Sequence, residues 1–330
     1  MPPKQPLLII SGPTASGKSA VALHLAKHAK GEIISADSMQ IYQGLDIATA
    51  KPTPAEQAMV PHHLIDICPP SEHFSVADYL GLATATIDAC LARQTWPIVT
   101  GGTGQYIDAL ATGIRFADGL YDASLRQSLL QQLQNDPQGG AWAQYERLKQ
   151  LDPTLAETLD PRNHKRVMRS LEICLLSGKP ASLVRQEARL QPSPFNCLVC
   201  IPTWPRAVLY ERINARVDHM LEQGLLEEAR RVYDLALPPE ATCRQAIGYK
   251  ELFPYFEGRL SLAEAISALK AATRHYAKRQ LTWFRPKPWV HFLTCTDQAD
   301  IPEQLARQIE TLWQDFCNHA AVPAPAPASR

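Results

Sequence analysis

Apolar and polar positions alternate along the first third of the chain in a way that predicts strands separated by helices. Short apolar runs at 7–10, 32–35 and 96–100 are bounded by turn-forming residues, which is typical of buried parallel strands. Longer stretches at 19–29 and 75–93 have the spacing of amphipathic helices. This alternation predicts an α/β fold with a parallel sheet and helices on its faces.

The pattern changes at about residue 118. Glutamine- and leucine-rich helical stretches follow, and the next strand-like run, 197–201, appears only after residue 195. We therefore predict a discontinuous α/β core of residues 1–117 and 195–320, interrupted by an all-helical insertion domain at 118–194.

The remainder of the core is predicted to be mainly helical. A strand predicted at 289–293 is the exception. The Pro/Ala run at 321–330 is predicted to be a disordered tail, because it has too little apolar surface to form a core. The predicted helices of this part are 206–223, 225–236, 244–256, 261–285 and 302–318.

A glycine-rich loop follows the first strand and reads G-P-T-A-S-G-K-S. This is the G-x-x-x-x-G-K-[ST] phosphate loop in its strand–loop–helix context, so the sheet is predicted to be P-loop NTPase-like. Lys18 supplies a cation, and the hydroxyl of Ser19 is placed to bind Mg²⁺. The predicted phosphate-binding residues are Gly12, Pro13, Thr14, Ala15, Ser16, Gly17, Lys18 and Ser19.

Polar residues also follow two other strands. Asp37 comes just after the strand at 32–35, and the turn Gly101–Gly104, which includes Thr103, follows the strand at 96–100. Because ligands bind beyond the carboxyl ends of parallel strands, we expect these residues beside the phosphate loop. Asp37 is a candidate general base or magnesium ligand, although a turn or cap residue is the alternative. The strand at 96–100 lacks the acidic end of a common ATPase, which argues against ordinary ATP hydrolysis.

Charge is balanced overall but uneven along the sequence. Lys and Arg total 33, as do Asp and Glu, which argues against a uniformly basic nucleic-acid binder. Residues 244–287, however, contain nine Lys or Arg against three Glu, and Lys270, Arg274 and Lys278 recur at helical spacing. A second basic cluster lies at 162–169. Solvated helix faces are the simpler explanation, but two clusters in a neutral chain favour a phosphate-backbone partner.

Composition favours a cytoplasmic protein. We identify neither a signal peptide nor an apolar run long enough to span a membrane. Eight scattered cysteines lack the density of a disulfide scaffold, which fits a reducing compartment. Cys197 and Cys200 are predicted to be core residues on opposite faces of a strand, and His62 and His63 have no partners at metal-ligand spacing.

On these features alone, two classes of function remain open. A P-loop kinase of a small metabolite or nucleoside would use Asp37 to activate a hydroxyl, but it would not need the basic surfaces. A nucleic-acid-binding ATPase would use those surfaces, but it would normally have the acidic strand end that this sequence lacks.

The motifs, taken in order, resemble the tRNA dimethylallyltransferase family. The resemblance covers residue 7 to about residue 293, and only the first motif is shared widely with other NTPases. Ala48 is a departure, since the family usually has glycine there, and the zinc finger of eukaryotic members is lacking, which points to the bacterial type. The matching motifs are Gly12–Ser19, Asp37–Tyr42, Asp46–Pro52, Pro61–Asp66, Gly101–Thr103, Ser177–Lys179, Arg244–Tyr249 and Ala277–Trp283.

The resemblance implies transfer of a dimethylallyl group from dimethylallyl diphosphate to N6 of adenosine 37, beside the anticodon, in tRNAs that read codons starting with U. It implies that Asp37 accepts the proton from the amine and that Thr103 acts near the bridging oxygen. Lys18, Arg244 and Ser19 with Mg²⁺ would hold the diphosphate. We also expect the protein to be a monomer that binds the anticodon stem-loop of tRNA. We do not expect it to bind a membrane. The implied tRNA-binding residues are Asp37, Ser38, Met39, Gln40, Thr103, Arg126, Lys165, Arg166, Val167, Met168, Arg169, Arg244, Gln245, Ala246, Ile247, Gly248 and Tyr249.

Overall fold

The chain forms two compact units in the computed structural model. One unit comprises residues 1–111 and 194–330, and the other comprises residues 112–193. The insertion predicted at 118–194 starts six residues later and ends one residue later than this smaller unit. The structure describes residues 4–113, 120–136, 139–188, 192–238, 241–295 and 301–319. The predicted tail at 321–330 therefore lies outside the described residues.

A parallel sheet is the centre of the larger unit, as the sequence predicted. Every pair of neighbouring strands is parallel, and the strand order is β3-β2-β4-β1-β5-β6. The strands are β1 (Gln5–Ser11), β2 (Gly31–Ser35), β3 (His62–His63), β4 (Trp96–Gly101), β5 (Phe195–Thr203) and β6 (Val290–Thr294). The α/β fold class is thus confirmed.

Helices account for most of the remaining structure. In chain order they are α1 (Lys18–His28), α2 (Pro54–Met59), α3 (Val76–Ala92), α4 (Gly104–Thr112), α5 (Ala123–Asn135), α6 (Gly139–Leu151), α7 (Pro153–Ala156), α8 (His164–Ser177), α9 (Ala181–Ala188), α10 (Arg206–Glu222), α11 (Leu225–Asp234), α12 (Phe253–Phe256), α13 (Leu262–Phe284) and α14 (Ile301–His319). None of these helices is both long and apolar enough to cross a bilayer, among the residues described.

Both faces of the sheet are covered, which explains why β1 is apolar at consecutive positions. Successive side chains of a strand point to opposite faces. Leu8 and Ile10 accordingly join a cluster with residues of α1, α10, α13 and α14, whereas Leu7 and Ile9 join one with residues of α3 and α4. Cys200 belongs to the first cluster and Cys197 packs against the second, so the predicted separation of these cysteines is confirmed.

The helix predicted at 244–256 is wrong. The residues of this segment form turns, and their side chains contribute to a third apolar cluster. That segment forms a short 3₁₀ turn at Cys243–Gln245, further turns, and the single turn α12. Gly248 interrupts the helix because its φ is +111°, a conformation that breaks helical geometry. The long helix α13 then begins at a capping box in which Ser261 and Glu264 exchange hydrogen bonds.

The smaller unit consists of α5 to α9 around its own apolar clusters. Leu148 and Val167 belong to one cluster, and Leu129 and Leu171 belong to a second. The two ends of this unit are in direct contact, because a Cβ on Gly113 would lie 2.2 Å from the backbone nitrogen of Ser193.

Candidate active site

The phosphate loop has the backbone of an anion-binding nest. Gly12, Ala15 and Gly17 all have positive φ, at 134°, 62° and 94°. Such turns direct successive N–H groups inward, and α1 begins at Lys18 directly behind them. The hydroxyl of Ser16 is buried without a hydrogen-bond partner among the described residues. A polar loop that leaves donors unpaired is suited to a phosphate ligand.

Side chains from distant parts of the chain hold this loop in place. The indole of Trp204 donates to the Ser16 carbonyl at 3.0 Å, and Arg212 Nε donates to the Ala15 carbonyl at 2.9 Å. The Arg212 guanidinium also stacks 4.5 Å from the Trp204 ring centroid. Gln280 accepts the Thr14 N–H at 3.2 Å and donates to the Gly102 carbonyl at 2.8 Å. Gln280 thereby joins the phosphate loop to the turn that follows β4.

A cavity of about 320 Å³ adjoins the loop, and charged groups line one end of it. Lys18, Arg216 and Asp37 all line this end. Burial, with a further contribution from the Arg216 charge, lowers the pKa of Lys18 to about 8. Burial also lowers the pKa of Arg216, although the Asp37 charge opposes that shift. Two partly buried cations beside one carboxylate leave a net positive charge, which suits an anionic ligand.

The segment after β2 fixes the position of Asp37. The Asp37 carboxylate accepts the Met39 N–H at 2.9 Å, which closes a local turn. Thr103 holds the neighbouring residue, since its Oγ1 accepts the Ser38 N–H at 2.9 Å and lies 3.2 Å from the Ser38 hydroxyl. The Thr103 N–H donates to the Ala36 carbonyl. Thr103 therefore ties the end of β4 to the Asp37 segment, and it does not itself line the cavity.

Gln40 is engaged in hydrogen bonds within the protein. Its amide nitrogen donates to the carbonyls of Thr49 and Ala50 at 3.2 and 3.1 Å, and its amide oxygen accepts from the Ser35 hydroxyl at 2.9 Å. Gln40 lines the cavity, but these contacts use both amide hydrogens. Its geometry is that of a residue that positions the cavity wall.

A buried carboxylate holds the adjacent loop. Glu228 is 1 % exposed and accepts backbone N–H groups of Asp46, Ile47 and Ala48 at 2.9 to 3.1 Å. It also accepts the Tyr249 hydroxyl at 2.8 Å. This loop continues into Thr49 and Ala50 of the cavity wall, so Glu228 determines where that wall lies.

Apolar side chains supply about half of the remaining cavity lining. Met39 and Ile33 come from the β2 region, Ala48, Ala50 and Pro52 come from the loop that precedes α2, and the others come from helices or from the 245–248 turn. The apolar residues contributed by helices and that turn are Ile213, Val217, Met220, Leu225, Ala246, Ile247 and Leu269. The cavity therefore combines an anion-binding end with an apolar wall, as a ligand with a charged group and a hydrocarbon group requires.

Many of the predicted site residues meet at this cavity. Those that line it are Thr14, Lys18, Ser19, Asp37, Ser38, Met39, Gln40, Gln245, Ala246, Ile247 and Gly248. Of the described residues of the larger unit, those predicted but found outside the lining are Gly12, Pro13, Ala15, Ser16, Gly17, Thr103, Arg244 and Tyr249. The loop residues among them shape the nest from behind, and Tyr249 supports Glu228.

Arg244 lies away from the anion-binding end. Its guanidinium donates to the Leu237 carbonyl at 2.9 Å and stacks over the Phe253 ring at 5.1 Å. Arg216, which the sequence analysis did not select, contributes a cation to the cavity instead. Arg216 follows Ile213 by three residues on α10, so both lie on one helix face, but no motif in the sequence marks that face as lining a cavity.

The predicted tRNA-binding residues of the smaller unit differ in exposure. Lys165 and Arg166 are exposed, whereas Val167 and Met168 are buried in the unit's apolar clusters. Arg126 and Arg169 both pair with the buried Glu172, at 3.4 and 3.1 Å. These two arginines therefore have a structural partner already.

The basic stripe on α13 is also largely paired. Lys270 forms an ion pair with Asp218 at 2.6 Å, and Arg274 donates to Asn214 at 2.7 Å. Both partners belong to α10, so this stripe holds two helices together. The cavity-lining face of α13 is a different one, and it carries the residues Thr273, Tyr276, Arg279 and Gln280.

One further polar cluster lies near the amino end of β2. Glu32, His63 and Cys90 place possible metal ligands within 4.8 Å of one another. Arg93 donates to the Glu32 carboxylate at 2.8 Å, and Thr95 donates to it at 2.6 Å. Because these donors occupy the carboxylate, the cluster is a buried ion-pair network, and we assign it no metal.

Comparison with known proteins identifies the relatives of this chain. A family model described as IPP transferase matches residues 40–287, and one described as isopentenyl transferase matches residues 5–66. The "tRNA dimethylallyltransferase" of Pelotomaculum thermopropionicum is 43% identical over 310 residues, which cover 93% of this chain and 97% of the relative.

Solved structures agree with these matches. The full-length tRNA isopentenylpyrophosphate transferase of Bacillus halodurans aligns at 40% identity with a TM-score of 0.68, over 96% of this chain and 99% of that one. A eukaryotic dimethylallyltransferase acting on tRNA aligns at 28% identity with a TM-score of 0.82, over 97% and 80%. The kinase and ATPase alternatives are set aside by these relations. This chain belongs to the tRNA dimethylallyltransferase family, and it is a tRNA prenyltransferase enzyme.

Proposed function

We propose that this enzyme transfers a dimethylallyl group from dimethylallyl diphosphate to N6 of adenosine 37 in tRNAs that read codons starting with U. The observation that carries the proposal is one cavity with an anion-binding end, a carboxylate and an apolar wall. An allylic diphosphate has a charged group and a short hydrocarbon group, which match the two parts of this cavity. The names of the relatives support tRNA as the acceptor.

The anion-binding end would stabilise the leaving group. In the reaction the C1–O bond of the donor breaks, and its electron pair departs with the diphosphate. Lys18, Arg216 and the loop N–H groups all face the negative charge that develops there, and they are fixed before the reaction begins. This arrangement lowers the barrier to ionisation of the allylic bond.

The Ser19 hydroxyl fits a magnesium ion bound with the diphosphate. Ser19 lines the cavity on the first turn of α1, where it is exposed. Mg²⁺ prefers oxygen ligands and usually binds substrate phosphates together with one or two protein oxygens. When bound, Mg²⁺ would neutralise part of the diphosphate charge.

Asp37 would serve as the general base. The adenine N6 forms the new bond to C1 and loses one proton, and the Asp37 carboxylate accepts it. The local turn to Met39 and the Thr103 contacts to Ser38 hold this carboxylate in place. Thr103 thus acts as a positioning residue in this proposal.

Exposed groups of both units are available for tRNA. We assign phosphate contacts to Lys165 and Arg166 and a contact near the cavity to Gln245, all of which are exposed. Adenosine 37 must leave its stack to reach a cavity of this kind. A monomer suffices because one unit of one chain supplies the whole cavity lining. The free cysteines fit a cytoplasmic enzyme.

Incubation with unmodified tRNA, Mg²⁺ and dimethylallyl diphosphate tests the proposal. We expect a mass gain on one adenosine, located at position 37 by nuclease digestion and mass spectrometry. A tRNA with guanosine at position 37 is the matched control and should remain unmodified. Absence of a mass gain, together with release of phosphate from ATP, would contradict the proposal.

A further inference from the structure

An exposed indole lies next to the turn that holds the Asp37 segment. Trp283 is 41 % exposed, although it belongs to the last turn of α13. Its ring packs against Gly104, where an added Cβ would lie 2.5 Å from both Cδ1 and Nε1 of the indole. Gly104 directly follows Thr103, which binds Ser38. One part of the indole is therefore fixed by the protein while the rest faces solvent.

The same face of α13 leads from the cavity to this indole. Tyr276, Arg279 and Gln280 line the cavity, and Trp283 follows Arg279 by four residues, which is about one helical turn. Gln280 binds the Gly102 carbonyl, so this face of α13 contacts the 102–104 turn at successive positions. The cavity lining and the indole are therefore parts of one continuous surface.

Cations and aromatic rings alternate along this surface. The Arg279 guanidinium lies 5.6 Å from the Tyr276 ring centroid, and Lys287 Nζ lies 5.3 Å from the centroids of both Trp283 and Trp289. Lys287 is also fixed by an ion pair with Asp108 at 2.7 Å. A fixed, exposed ring beside a cation is suited to stacking on a nucleic-acid base.

We propose that Trp283 is a stacking surface for an unpaired base of the tRNA loop, adjacent to the base that enters the cavity. The inference rests on the proposed function, because it requires an RNA loop at this cavity. Unstacked loop bases are commonly bound on aromatic side chains. Trp283 would replace the stacking that a neighbouring base loses when adenosine 37 leaves the loop.

The test compares three single substitutions. Trp283→Leu retains an apolar side chain against Gly104 but removes the flat aromatic ring, and Trp283→Phe retains a ring. Phe292→Leu is the matched control, because Phe292 is also 41 % exposed but lies on the edge strand β6. Affinity for an anticodon stem-loop RNA is measured by fluorescence anisotropy, and affinity for inorganic diphosphate reports an intact phosphate loop.

We expect Trp283→Leu to weaken RNA binding about 10- to 100-fold, the range found for one stacked base, while diphosphate binding is unchanged. Trp283→Phe should regain most of the affinity, and Phe292→Leu should bind RNA like the unsubstituted enzyme. RNA quenching of indole fluorescence should also be smaller in Trp283→Phe. Equal RNA affinity in Trp283→Leu and the unsubstituted enzyme would overturn the inference.

Assaying the unsubstituted enzyme for dimethylallyl transfer separates the two proposals. Transfer without an effect of Trp283→Leu on RNA affinity overturns the stacking role alone. Absence of transfer overturns the proposed function, whatever the affinities are.

Discussion

The guanidinium of Arg216 and the ammonium of Lys18 face the same end of the cavity, and the Arg216 charge lowers the pKa of Lys18. Burial makes the larger contribution, and together they bring this pKa from 10.5 to about 8. About half of the Lys18 population is therefore neutral at about pH 8, and the ammonium form predominates at lower pH. A bound diphosphate would stabilise the ammonium and raise its pKa again.

Diphosphate binding should accordingly draw a proton onto Lys18. Near pH 8.5 part of the Lys18 population is neutral, and the bound anion shifts it to the ammonium form. Calorimetric titration with inorganic diphosphate in two buffers of different ionisation enthalpy measures this uptake. The Lys18→Arg variant is the control, since arginine stays charged while the diphosphate titrates as before. Equal proton uptake by the Lys18→Arg variant and the unsubstituted enzyme would show that Lys18 is not the group that takes up the proton.

The Asp37→Asn substitution should separate binding from chemistry. The asparagine oxygen can still accept the Met39 N–H, so the local turn is preserved, but the amide cannot accept the proton from N6. We expect the single-turnover rate to fall roughly 10²- to 10⁴-fold while RNA affinity changes little. Rapid-quench kinetics and RNA anisotropy measure the two quantities. An unchanged rate would remove Asp37 as the base.

Substitutions of Arg216 and Arg244 compare a residue that the structure places in the cavity lining with one that only a sequence motif selected. We expect Arg216→Gln to raise the KM for dimethylallyl diphosphate at least tenfold, because a charge-assisted hydrogen bond to phosphate is lost. Arg216→Lys should recover part of the affinity. Arg244→Gln should change this KM less, since the Arg244 guanidinium is bound to the Leu237 carbonyl. Steady-state kinetics decide the order, and a larger effect at Arg244 would reverse our assignment.

The Glu228→Gln substitution should loosen one wall of the cavity. An amide in place of the carboxylate puts an NH₂ group against backbone donors of Asp46, Ile47 and Ala48. We expect a loss of about 1–3 kcal/mol in the free energy of unfolding, measured with urea. Glu227→Gln, at the exposed neighbouring position, is the control and should be neutral within about 0.5 kcal/mol. Equal stability of the two variants would show that Glu228 does not hold the loop.

Glu32 should make stability depend on acid. Hydrogen bonds from Thr95, Arg93 and His63 outweigh desolvation and lower the pKa of Glu32 from 4.5 to about 2. The stabilisation is present above pH 4.5 and is lost as the pH falls through 4.5 toward 2, where the folded form also binds a proton. This lowering of the Glu32 pKa corresponds to about 3 kcal/mol in the free energy of unfolding. Urea unfolding at pH 3 and pH 6 should show a smaller pH effect in Glu32→Gln, and identical pH profiles would contradict this.

Much of the fold followed from local patterns. The run Leu7–Ile10, the phosphate loop and α1 are adjacent in the sequence, so spacing and composition sufficed to predict them. The prediction of a helix at 244–256 was wrong because Gly248 adopts a positive φ and its neighbours pack as turns around Tyr249. Apolar content alone does not distinguish a helix from turns that are buried by tertiary contacts.

The site was predicted less completely than the fold. Asp37 follows β2 and Lys18 follows β1, and both strands pair in parallel with β4, so sheet topology brings the two residues to the same edge. Arg216 and Gln280 come from helices far along the chain, and nothing in the local sequence gives the direction of their side chains. A motif likewise identified Arg244 without showing that its guanidinium turns toward Phe253. Side-chain direction depends on packing, which one sequence does not reveal.

The contact between Gly113 and Ser193 gives the helical insertion the topology of a loop with a closed stem. The two ends of the insertion approach so closely at Gly113 and Ser193 that a side chain on Gly113 would collide with the backbone. Closing such a stem already fixes the ends of the segment, and the entropy cost of a longer segment then grows only with the logarithm of its length. The inserted helices can therefore lengthen or shorten during evolution at little thermodynamic cost to the parallel sheet.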